Sequence, residues 1–259
     1  MKTPFSSCEI ILDSANWYTG KRITTMRLYY ANFIHPEFMT HRAFSRNAAS
    51  FRALGNARVI KQVLEDPAMP VSWGEEKRGM QAGEDVSQHV IRMCKHNWLQ
   101  ARDRAVEYSS YISRQGVHKQ VANRLLAPFL KIQVIVTATE WDNFFNLRCH
   151  PDADPTMREL AYNMQFEYNN SIPVLRKYHI PLHDNFMASA GACARVSYLS
   201  EAKSKEEDIQ LASKLIANKH LSPFEHQATA IVSNHKYDNF VGWCSNRNGA
   251  NNFVGWWSK

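Results

Sequence analysis

The chain has 259 residues, of which 44% are hydrophobic and 21% charged, and it carries a net charge of +7 with a pI near 9.2. This length allows one large core or two modest domains, and the composition is that of a globular protein rather than a fibrous or disordered one. The positive charge favours an anionic partner such as a nucleotide, a polyphosphate cofactor or a nucleic acid. The basic residues are spread along the chain, which argues against a disordered nucleic-acid-binding tail.

The cysteines and the first residues bear on the cellular compartment. The five cysteines are odd in number and no two have CxxC spacing, so neither a disulfide framework nor a zinc ribbon is indicated. The first residues lack an apolar signal core, and no run of apolar residues is long enough to cross a membrane. We therefore expect a cytoplasmic protein with reduced thiols, no metal site and no membrane segment, built as a single domain over residues 1–259.

Hydrophobic periodicity and turn residues predict alternating strands and helices along the chain. Two strands joined by a turn come first, and a helix that begins at His35-Pro36 and carries residues 40–52 follows. The predicted elements are, in order, strands 8–12 and 22–30, the helix from 35 onward, an irregular loop 67–83, helices 84–115 and 118–126, a strand or helix interior at 132–136, helices 139–147, 155–178 and 205–218, and a strand at 227–232.

Residues 40–52 are the first candidate functional segment. They concentrate hydrogen-bond donors, and the planar guanidinium groups among them suit phosphate oxygens. On the predicted helix, Arg42, Ser45 and Arg46 share a face. A solvated basic helix end is the alternative, and this segment alone does not exclude it. The donors in the segment are His41, Arg42, Ser45, Arg46, Asn47, Ser50 and Arg52.

Residues 137–148 are the second candidate segment. A helix rich in aromatic residues ends at Arg148, which would hold the guanidinium in a partly desolvated place. Such a group either pairs with a structural carboxylate or meets an anionic ligand. The segment by itself leaves both possibilities open.

The third candidate segment joins residues 193–198 to residues 220–226. Ser222 and Glu225 have the spacing of a helix capping box, which is the structural interpretation. The functional alternative places His220 and Glu225 against a cofactor. His226 is better interpreted as a core or surface histidine than as a ligand.

The end of the chain contains a short repeat. Residues 239–243 and 252–256 both have the sequence Asn-Phe-Val-Gly-Trp. Two copies are too few for a repeat architecture, so we interpret them as a Trp-anchored tail that packs on the body or on a neighbouring subunit.

These segments together resemble the flavin-dependent thymidylate synthases. Residues 40–53 look like the family's Arg-His-Arg, x, x, Ser, x, Asn-Glu, x, Ser, x, Arg-Tyr signature, and residues 137–148 are similar to its Asn-x-Arg-x-x-x-Asn-x-x-x-x-Arg stretch. Residues 194–226 match the Ala-Arg-x-Ser-(Phe/Tyr) and His-x-(Ser/Thr)-Pro-Phe-Glu-His block, and residues 120–128 look like the Ala-Arg-x-x-Leu-Pro segment. The resemblance covers most of the chain.

The chain departs from the family in the order of its motifs and in several signature positions. The Ala-Arg-x-Ser and Pro-Phe-Glu-His block usually comes before the Arg-His-Arg block, whereas here it comes after, as in a circular permutation. The substituted positions are Thr40 for Arg, Ala48 for Glu, Ala53 for Tyr, Thr137 for Asn, Thr139 for Arg and Glu37 for Gln. A carboxylate at Glu37 beside a phosphate would repel it, so the geometry or the substrate of the nucleotide pocket is expected to differ.

The resemblance also implies a role for each matched residue. Arg148 aligns with the catalytic arginine that binds the pyrimidine base and stabilises negative charge on it, and His220 aligns with a histidine near the flavin ring. Glu37, Ser50, Arg52 and Arg124 align with groups at the nucleotide, the last three with those that hold its phosphate and sugar. The implied flavin contacts are His41, Arg42, Asn143, Ser197, Ser222 and Glu225.

The chemistry implied by the resemblance is methylation of dUMP at C5 to give dTMP. Methylenetetrahydrofolate supplies the one-carbon unit, and FAD reduced by NADPH supplies the hydride. The family also implies an α+β fold, with helices packed on a mixed sheet, and a homotetramer. This scheme needs no cysteine nucleophile, and no cysteine here stands in a nucleophile motif. There is also no GxGxxG after a strand, which disfavours a Rossmann flavoenzyme.

Three alternatives remain open from the sequence. The altered positions 37, 40 and 48 allow action on another pyrimidine nucleotide such as dCMP, or transfer of a hydroxymethyl group. A second class is a single-stranded nucleic-acid-binding protein that uses its positive charge and stacks bases on Trp243, Trp256 and Trp257, although the resemblance favours a nucleotide over a nucleic acid as the partner. A third is a homologue that binds nucleotide only as a structural protein.

Overall fold

The computed structural model describes residues 5–200 and 204–247, and its largest sheet has five strands in the order β3-β4-β2-β1-β5. Neighbours in this sheet run antiparallel, except that β1 and β5 run parallel. Two small sheets, β10-β7-β6 and β8-β9, complete the strands. The strands are β1 Ser7–Asn16, β2 Arg22–Ala31, β3 Ser45–Ala48, β4 Lys131–Ala138, β5 Val174–Arg176, β6 Tyr178–His179, β7 Ala228–Ala230, β8 Lys236–Tyr237, β9 Phe240–Val241 and β10 Trp243–Ser245.

Helices cover both faces of the large sheet, so the predicted α+β class, with helices on a mixed sheet, is confirmed. The α-helices are α1 His35–Phe38, α2 Asn56–Glu65, α3 Gln88–Arg114, α4 Lys119–Ala122, α5 Asp142–Arg148, α6 Pro155–Asn170, α7 Phe186–Arg195 and α8 Lys205–Ala217. Four 3-10 segments lie at Asn32–Ile34, Asn123–Phe129, Val196–Tyr198 and Ser222–Glu225. Within the described ranges, every helix is too short or too polar to cross a bilayer.

The main core lies on the sheet face formed by the even-numbered residues of β2 and β4. Met26 and Leu28 of β2 and Val136 of β4 pack there against α6, which contributes Leu160 and Met164. Tyr30 of β2 is one aromatic member of this cluster, and the others, all from α1, α5 and the segments beside them, are Phe38, Phe44, Trp141, Phe144 and Phe145. Burial of these large side chains fixes α5 and the start of the 40–52 segment on one side of the sheet.

The opposite face of the sheet is covered by the C-terminal part of the chain. Ile135 of β4 packs on Cys193 and Val196, and Ile23 packs on Phe240 and Trp243. Trp243 is fully buried, and its indole nitrogen donates to the backbone oxygen of Lys21 at 2.9 Å. The first copy of the tail repeat therefore packs on the body of the protein, as predicted. The second copy, residues 252–256, lies outside the described residues.

Most predicted elements are present, with altered boundaries. The strand at 8–12 extends to Ser7–Asn16, the ambiguous segment 132–136 is strand β4, and the strand at 227–232 shortens to Ala228–Ala230. The loop 67–83 is irregular, as predicted. Two helices begin three or four residues later than predicted: the helix predicted at 84–115 is Gln88–Arg114, and that predicted at 139–147 is Asp142–Arg148. The helix predicted at 118–126 is the short helix α4 followed by a 3-10 segment. Helices α2 and α7 were not predicted.

The predicted helix over residues 155–178 is wrong in its second half. Helix α6 ends at Asn170, Ser171 is extended with φ −85° and ψ 138°, and strand β5 follows at Val174–Arg176. Pro173 explains the end, because a proline disfavours helical geometry at the residue before it. Strand β5 then pairs with β1, which satisfies its backbone in a way that no local pattern reveals.

The close packing of α7 and α8 at Gly191 gives a stability prediction. A Cβ atom at Gly191 would lie 2.1 Å from the backbone oxygen of Asp208, so the Gly191→Ala substitution must push the two helices apart. We expect it to lower the free energy of unfolding by at least about 2 kcal/mol, measured by urea denaturation. The Gly55→Ala control, which has open space at the new Cβ, should cost less than about 1 kcal/mol. Equal losses in the two variants would contradict the prediction.

Candidate nucleotide and flavin site

The 40–52 segment is a turn and a strand rather than the predicted helix. Helix α1 ends at Phe38, and Ser45–Ala48 forms β3, which pairs with residues 134–137 of β4. In a strand, successive side chains point to opposite faces, so Ser45 and Arg46 lie on opposite sides. The Arg46 guanidinium donates to the backbone oxygens of Met39 and His41, at 3.2 and 2.8 Å. The predicted shared helical face of Arg42, Ser45 and Arg46 is therefore wrong, because pairing with a distant strand replaces the local helix.

Arg148, at the end of α5, contacts two other predicted site residues. Its Nε donates to Nε2 of His41 at 3.0 Å, and its Nη1 donates to a carboxylate oxygen of Glu37. All three side chains are partly buried. In this arrangement the guanidinium has the carboxylate partner that the sequence left as one of two possibilities. The same contact neutralises the acidic Glu37.

The imidazole of His41 is held neutral. Burial first, and then the positive charges of Arg148 and Arg46, lower its pKa from 6.5 to about 4. The ring lies edge-on to Phe144 with a centroid distance of 4.8 Å and stacks on Phe44 at 5.8 Å. Because Nε2 accepts from Arg148, the ring proton is assigned to Nδ1. A neutral histidine of this kind offers a hydrogen bond without adding charge.

Ser50, Arg52 and Arg124, predicted to hold the phosphate and sugar, line one cavity of about 300 Å³. It lies between the end of β3, the 3-10 segment Asn32–Ile34 and the segment of α4 and Asn123–Phe129. Asn123 fixes the wall because its amide donates to the backbone oxygens of Phe51 and Leu54, at 2.7 and 3.1 Å. Both arginines are exposed, so their guanidinium groups are available at the mouth.

The cavity also contains residues that the sequence reasoning did not assign to a site. His35 lines it, and its Nδ1 lies 2.8 Å from the hydroxyl of Tyr30, while burial lowers its pKa. Asn123 and Gln120 line it as well. The position of His35 before Pro36 indicated only a helix start, and no local pattern pointed to a ligand. Ala48, which replaces the usual Glu, also lines this cavity and removes a negative charge from it.

The C-terminal block packs against β3, as the resemblance requires if its motifs form one site. The backbone oxygen of Ser197 accepts from the Ser50 amide at 3.0 Å, and its hydroxyl donates to the Ala48 oxygen at 3.3 Å. Glu225 lies beside Ser45 and forms an ion pair with Arg247. Burial raises the pKa of Glu225, partly opposed by Arg247. Two segments separated in sequence thus meet at one strand.

The capping interpretation of Ser222 is wrong. The segment Ser222–Glu225 is a 3-10 turn whose first flanking residue is Leu221, and no side chain caps it. Ser222 is exposed, and Glu225 is engaged by Arg247 instead. A capping box does occur nearby, at Ser204 and Glu207 of α8. The segment is one 3-10 turn that does not continue into an α-helix, so there is no helix start for Ser222 to cap.

Four of the predicted site residues are exposed and, within the described ranges, not engaged by the fold through their side chains. Arg42, Asn143, His220 and Ser222 are exposed, and over residues 5–200 and 204–247 none of their side chains makes a hydrogen bond or an ion pair. His220 is tied down only through its backbone, whose N–H donates to the Leu215 oxygen at 2.8 Å. These four groups are therefore available to a ligand rather than occupied by the fold.

Two of the substituted family positions have become part of the core. Thr137 is fully buried, with its hydroxyl 2.7 Å from that of Thr25 and 2.9 Å from Nδ1 of His226. Thr139 is buried and accepts from the backbone N–H of Val241 at 3.0 Å. Neither side chain is free to contact a ligand. The prediction that His226 is a core histidine agrees with its complete burial.

The donor set around β3 fits a flavin dinucleotide. Arg42 is an exposed guanidinium without a carboxylate partner in the described ranges, which suits a pyrophosphate. His41 is neutral and Asn143 is an exposed amide, so both can hydrogen-bond to polar ring atoms. In contrast, the described residues contain no group of three or more His, Cys, Asp or Glu side chains placed to hold a metal ion.

Comparison with known proteins gives the family. The family model described as thymidylate synthase complementing protein (Thy1) matches residues 24–174, which are 151 of the 259 residues. The chain therefore belongs to this family, that of the flavin-dependent thymidylate synthases. No curated protein sequence matches the chain. The block at 194–226 lies beyond the matched range, so the permuted motif order stays a prediction.

A solved structure agrees on the fold. A UMP/dUMP methylase, PolB from Streptomyces cacaoi, bound with 5-Br dUMP, matches with a TM-score of 0.50 and 13% identity, over 63% of this chain and 89% of that one. The same methylase bound with 5-Br UMP matches with a TM-score of 0.49 and 15% identity, over 63% and 88%. At these identities the first match indicates a shared fold and carries no assignment of substrate.

Proposed function

We propose that the protein is a flavin-dependent methyltransferase that converts dUMP to dTMP within a single catalytic domain. The observation that carries the proposal is the common cavity of Ser50, Arg52 and Arg124 in a chain of this family. Its two exposed guanidinium groups suit a nucleotide monophosphate, and its size suits part of such a ligand. FAD, NADPH, methylenetetrahydrofolate and a homotetramer are parts of the same proposal, supported by the family.

Arg148 is proposed to bind and polarise the base. A guanidinium that is partly desolvated stabilises negative charge on a pyrimidine oxygen more strongly than it would in water. The Nε contact to neutral His41 orients the group, and Glu37 holds it until the nucleotide arrives. His41, Arg42, Asn143, Ser197, Ser222 and Glu225 are proposed to contact the flavin, with His220 near its ring. When bound and reduced, the flavin supplies the hydride that completes the methyl group.

The cysteines support chemistry without a thiolate nucleophile. Burial raises the pKa of Cys193 and of Cys8 to about 12, and it also raises that of Cys149, which directly follows Arg148. These thiols stay protonated at neutral pH and are poor nucleophiles. Charge stabilisation by Arg148 is therefore the better route to base activation.

A second candidate substrate is dCMP, and Glu37 is the observation that favours it. An ionised carboxylate accepts hydrogen bonds but cannot donate them, whereas the Gln that is usual at this position does both. An exocyclic amine would supply a donor to Glu37, which the uracil O4 does not. Transfer of a hydroxymethyl group belongs to the same alternative.

Product analysis with each nucleotide separates these candidates. We expect the purified protein to be yellow, with a flavin absorbance band that shifts on addition of dUMP, and to form dTMP from dUMP, methylenetetrahydrofolate and NADPH. Mass spectrometry of the nucleotide products provides the measurement. If the protein modifies dCMP but not dUMP, then dCMP is the substrate. A colourless protein that binds single-stranded DNA would contradict the flavoenzyme proposal. Trp243 argues against the latter, since its burial prevents it from stacking on a base.

The phosphate contacts give a kinetic prediction. The Arg52→Gln and Arg124→Gln substitutions should each raise the KM for dUMP about tenfold or more while changing kcat much less, because a phosphate contact is made equally in the ground and transition states. Steady-state kinetics at fixed ionic strength provides the measurement. The Arg92→Gln variant, which removes an exposed charge from α3, serves as the control. An unchanged KM in both site variants would exclude this cavity as the phosphate site.

A further inference from the structure

A large cavity lies on the other face of the five-stranded sheet from the proposed phosphate site. It has a volume of about 820 Å³ and is walled by the sheet, by α2 and by the α7–α8 pair. Arg27, Tyr29 and Ile135 face it from β2 and β4, on the odd-numbered side of the strands. Ala48 and Ile132 of the 300 Å³ cavity lie on the even-numbered side. The two cavities are therefore separate.

The acidic residues of this large cavity already have cationic partners. Asp66 accepts from the Lys131 ammonium at 2.7 Å, and Asp208 is paired with Arg195 and lies 3.1 Å from Nε2 of His183. Glu65 lies 3.8 Å from the ammonium of Lys61, which also lines the cavity. Because these carboxylates are neutralised locally, they do not set the charge that an entering ligand meets.

Two arginines in the cavity keep unused hydrogen-bonding capacity. Within residues 5–200 and 204–247, the one carboxylate that Arg27 pairs with is that of Glu9, whose side chain is 60% exposed, and such a pair contributes little in water. The Nε of Arg27 is buried without a hydrogen-bond partner among the described residues. In the part of the chain that the structure describes, Arg58 contacts no carboxylate and donates to two backbone oxygens, those of Tyr198 at 3.5 Å and of Leu199. The Arg27 side chain is 37% exposed, so the accessible part of its guanidinium can still donate to an anion.

The rest of the cavity is suited to an organic group. Ile135 and Val196 give it an apolar floor, and the half-buried ring of Tyr29 lies in its wall. The Tyr29 hydroxyl donates to Asp66 at 3.1 Å, which fixes the ring in place. Aromatic faces of this kind accept stacked rings, and 820 Å³ is within the range of small-molecule sites.

We propose that this cavity is a second binding site, separate from the catalytic site, for an organic phosphate of nucleotide size. Its phosphates contact Arg27 and Arg58, and its ring packs against Tyr29. The inference depends on the geometry of this cavity alone and does not require the proposed methyltransferase activity.

Calorimetric titration of the full-length protein tests the proposal with two probes, ATP and inorganic pyrophosphate. ATP carries a purine, which reduces binding at a pyrimidine site, and the Arg52→Gln/Arg124→Gln double variant removes the phosphate contacts of that site. We expect this double variant to bind one ATP per chain. Adding Arg27→Gln or Arg58→Gln to it should weaken binding about tenfold or more, whereas adding Arg92→Gln should change it less than about twofold.

A Tyr29→Leu substitution separates the ring contact from the charge contact. It should weaken ATP binding and leave pyrophosphate binding unchanged, since pyrophosphate has no ring. Thermal unfolding of each variant checks that it is folded. If the Arg58→Gln variant does not fold, the Arg27→Gln variant provides an independent test. The proposal is overturned if the double variant binds no ATP, if neither arginine substitution weakens binding, or if pyrophosphate binds as tightly as ATP.

Discussion

Replacing Arg148 with Gln should lower kcat by about a hundred- to a thousand-fold, the usual effect of removing one donor that stabilises developing negative charge. The Arg148 guanidinium lies between Glu37 and His41 and has only 19% of its side chain exposed. Water therefore cannot replace it fully, and a neutral amide cannot supply its charge. The KM for the nucleotide should rise much less, since the contact is stronger in the transition state than in the ground state.

Two further variants make the Arg148 prediction specific. Arg148→Lys keeps the charge but loses the planar fork, so it should recover only part of the activity. Glu37→Gln removes the ion-pair partner while leaving the guanidinium, and it should preserve kcat within about tenfold. Flavin absorbance and its shift on nucleotide binding should persist in Arg148→Gln, which distinguishes lost chemistry from lost folding. Full activity in Arg148→Gln would favour the interpretation that the protein binds nucleotide only in a structural role.

The sequence grouped residues that the fold brings to one cavity, but it did not predict their local geometry. Arg124 lies far along the chain from Ser50 and Arg52, yet all three line one cavity, and the motif resemblance had assigned them to one ligand. That assignment stays a prediction. The helix assigned to residues 40–52 was wrong because β3 is stabilised by β4, about ninety residues away. Pairing of that kind depends on distant residues, so a local pattern with arginines three or four apart looked helical.

The parts of the fold that escaped prediction share this physical cause. The end of α6 could be inferred from Pro173, but strand β5 becomes a strand only by pairing with β1. The Glu37–Arg148 contact joins residues 111 positions apart. The substitution to Glu at 37 was visible in sequence as a departure, whereas its neutralisation by Arg148 required the three-dimensional arrangement.

A buried polar chain crosses the sheet on the face that the C-terminal block covers. Nδ1 of His179 lies 2.9 Å from the Ser14 hydroxyl, and its Nε2 lies 2.8 Å from that of Thr25. Thr25 contacts Thr137, which in turn contacts His226. Both histidines are fully buried, and Nε2 of His226 has no hydrogen-bond partner among the described residues. This series of hydrogen-bonded side chains therefore favours the uncharged form of both histidine rings.

This arrangement predicts that acid destabilises the protein well above the pH at which ordinary carboxylates titrate. Burial lowers the pKa of His179 and of His226 from 6.5 to about 3, with His226 adding repulsion at His179. Well above pH 6.5 these histidines are uncharged in both the folded and the unfolded protein, so their titration takes nothing from the free energy of unfolding. Below it only the unfolded chain gains these protons, so stability falls as the pH drops toward the folded pKa. Each histidine then contributes a slope approaching about 1.4 kcal/mol per pH unit.

Urea denaturation between pH 7.5 and 5 measures this slope. The His226→Gln substitution should reduce it by close to one proton, whatever its effect on absolute stability, because glutamine does not titrate. His89→Gln, at an exposed position of α3, is the matched control and should leave the slope unchanged. Glu225 opposes the effect, because burial raises its pKa and the folded protein therefore binds its proton at a higher pH than the unfolded protein does. The test is therefore the difference in pH slope between each variant and the parent protein. An identical slope in His226→Gln and the parent protein would mean that the buried histidine accepts a proton in the folded state. The inference that both histidines stay neutral in the hydrogen-bonded series through Thr25 and Thr137 would then be wrong.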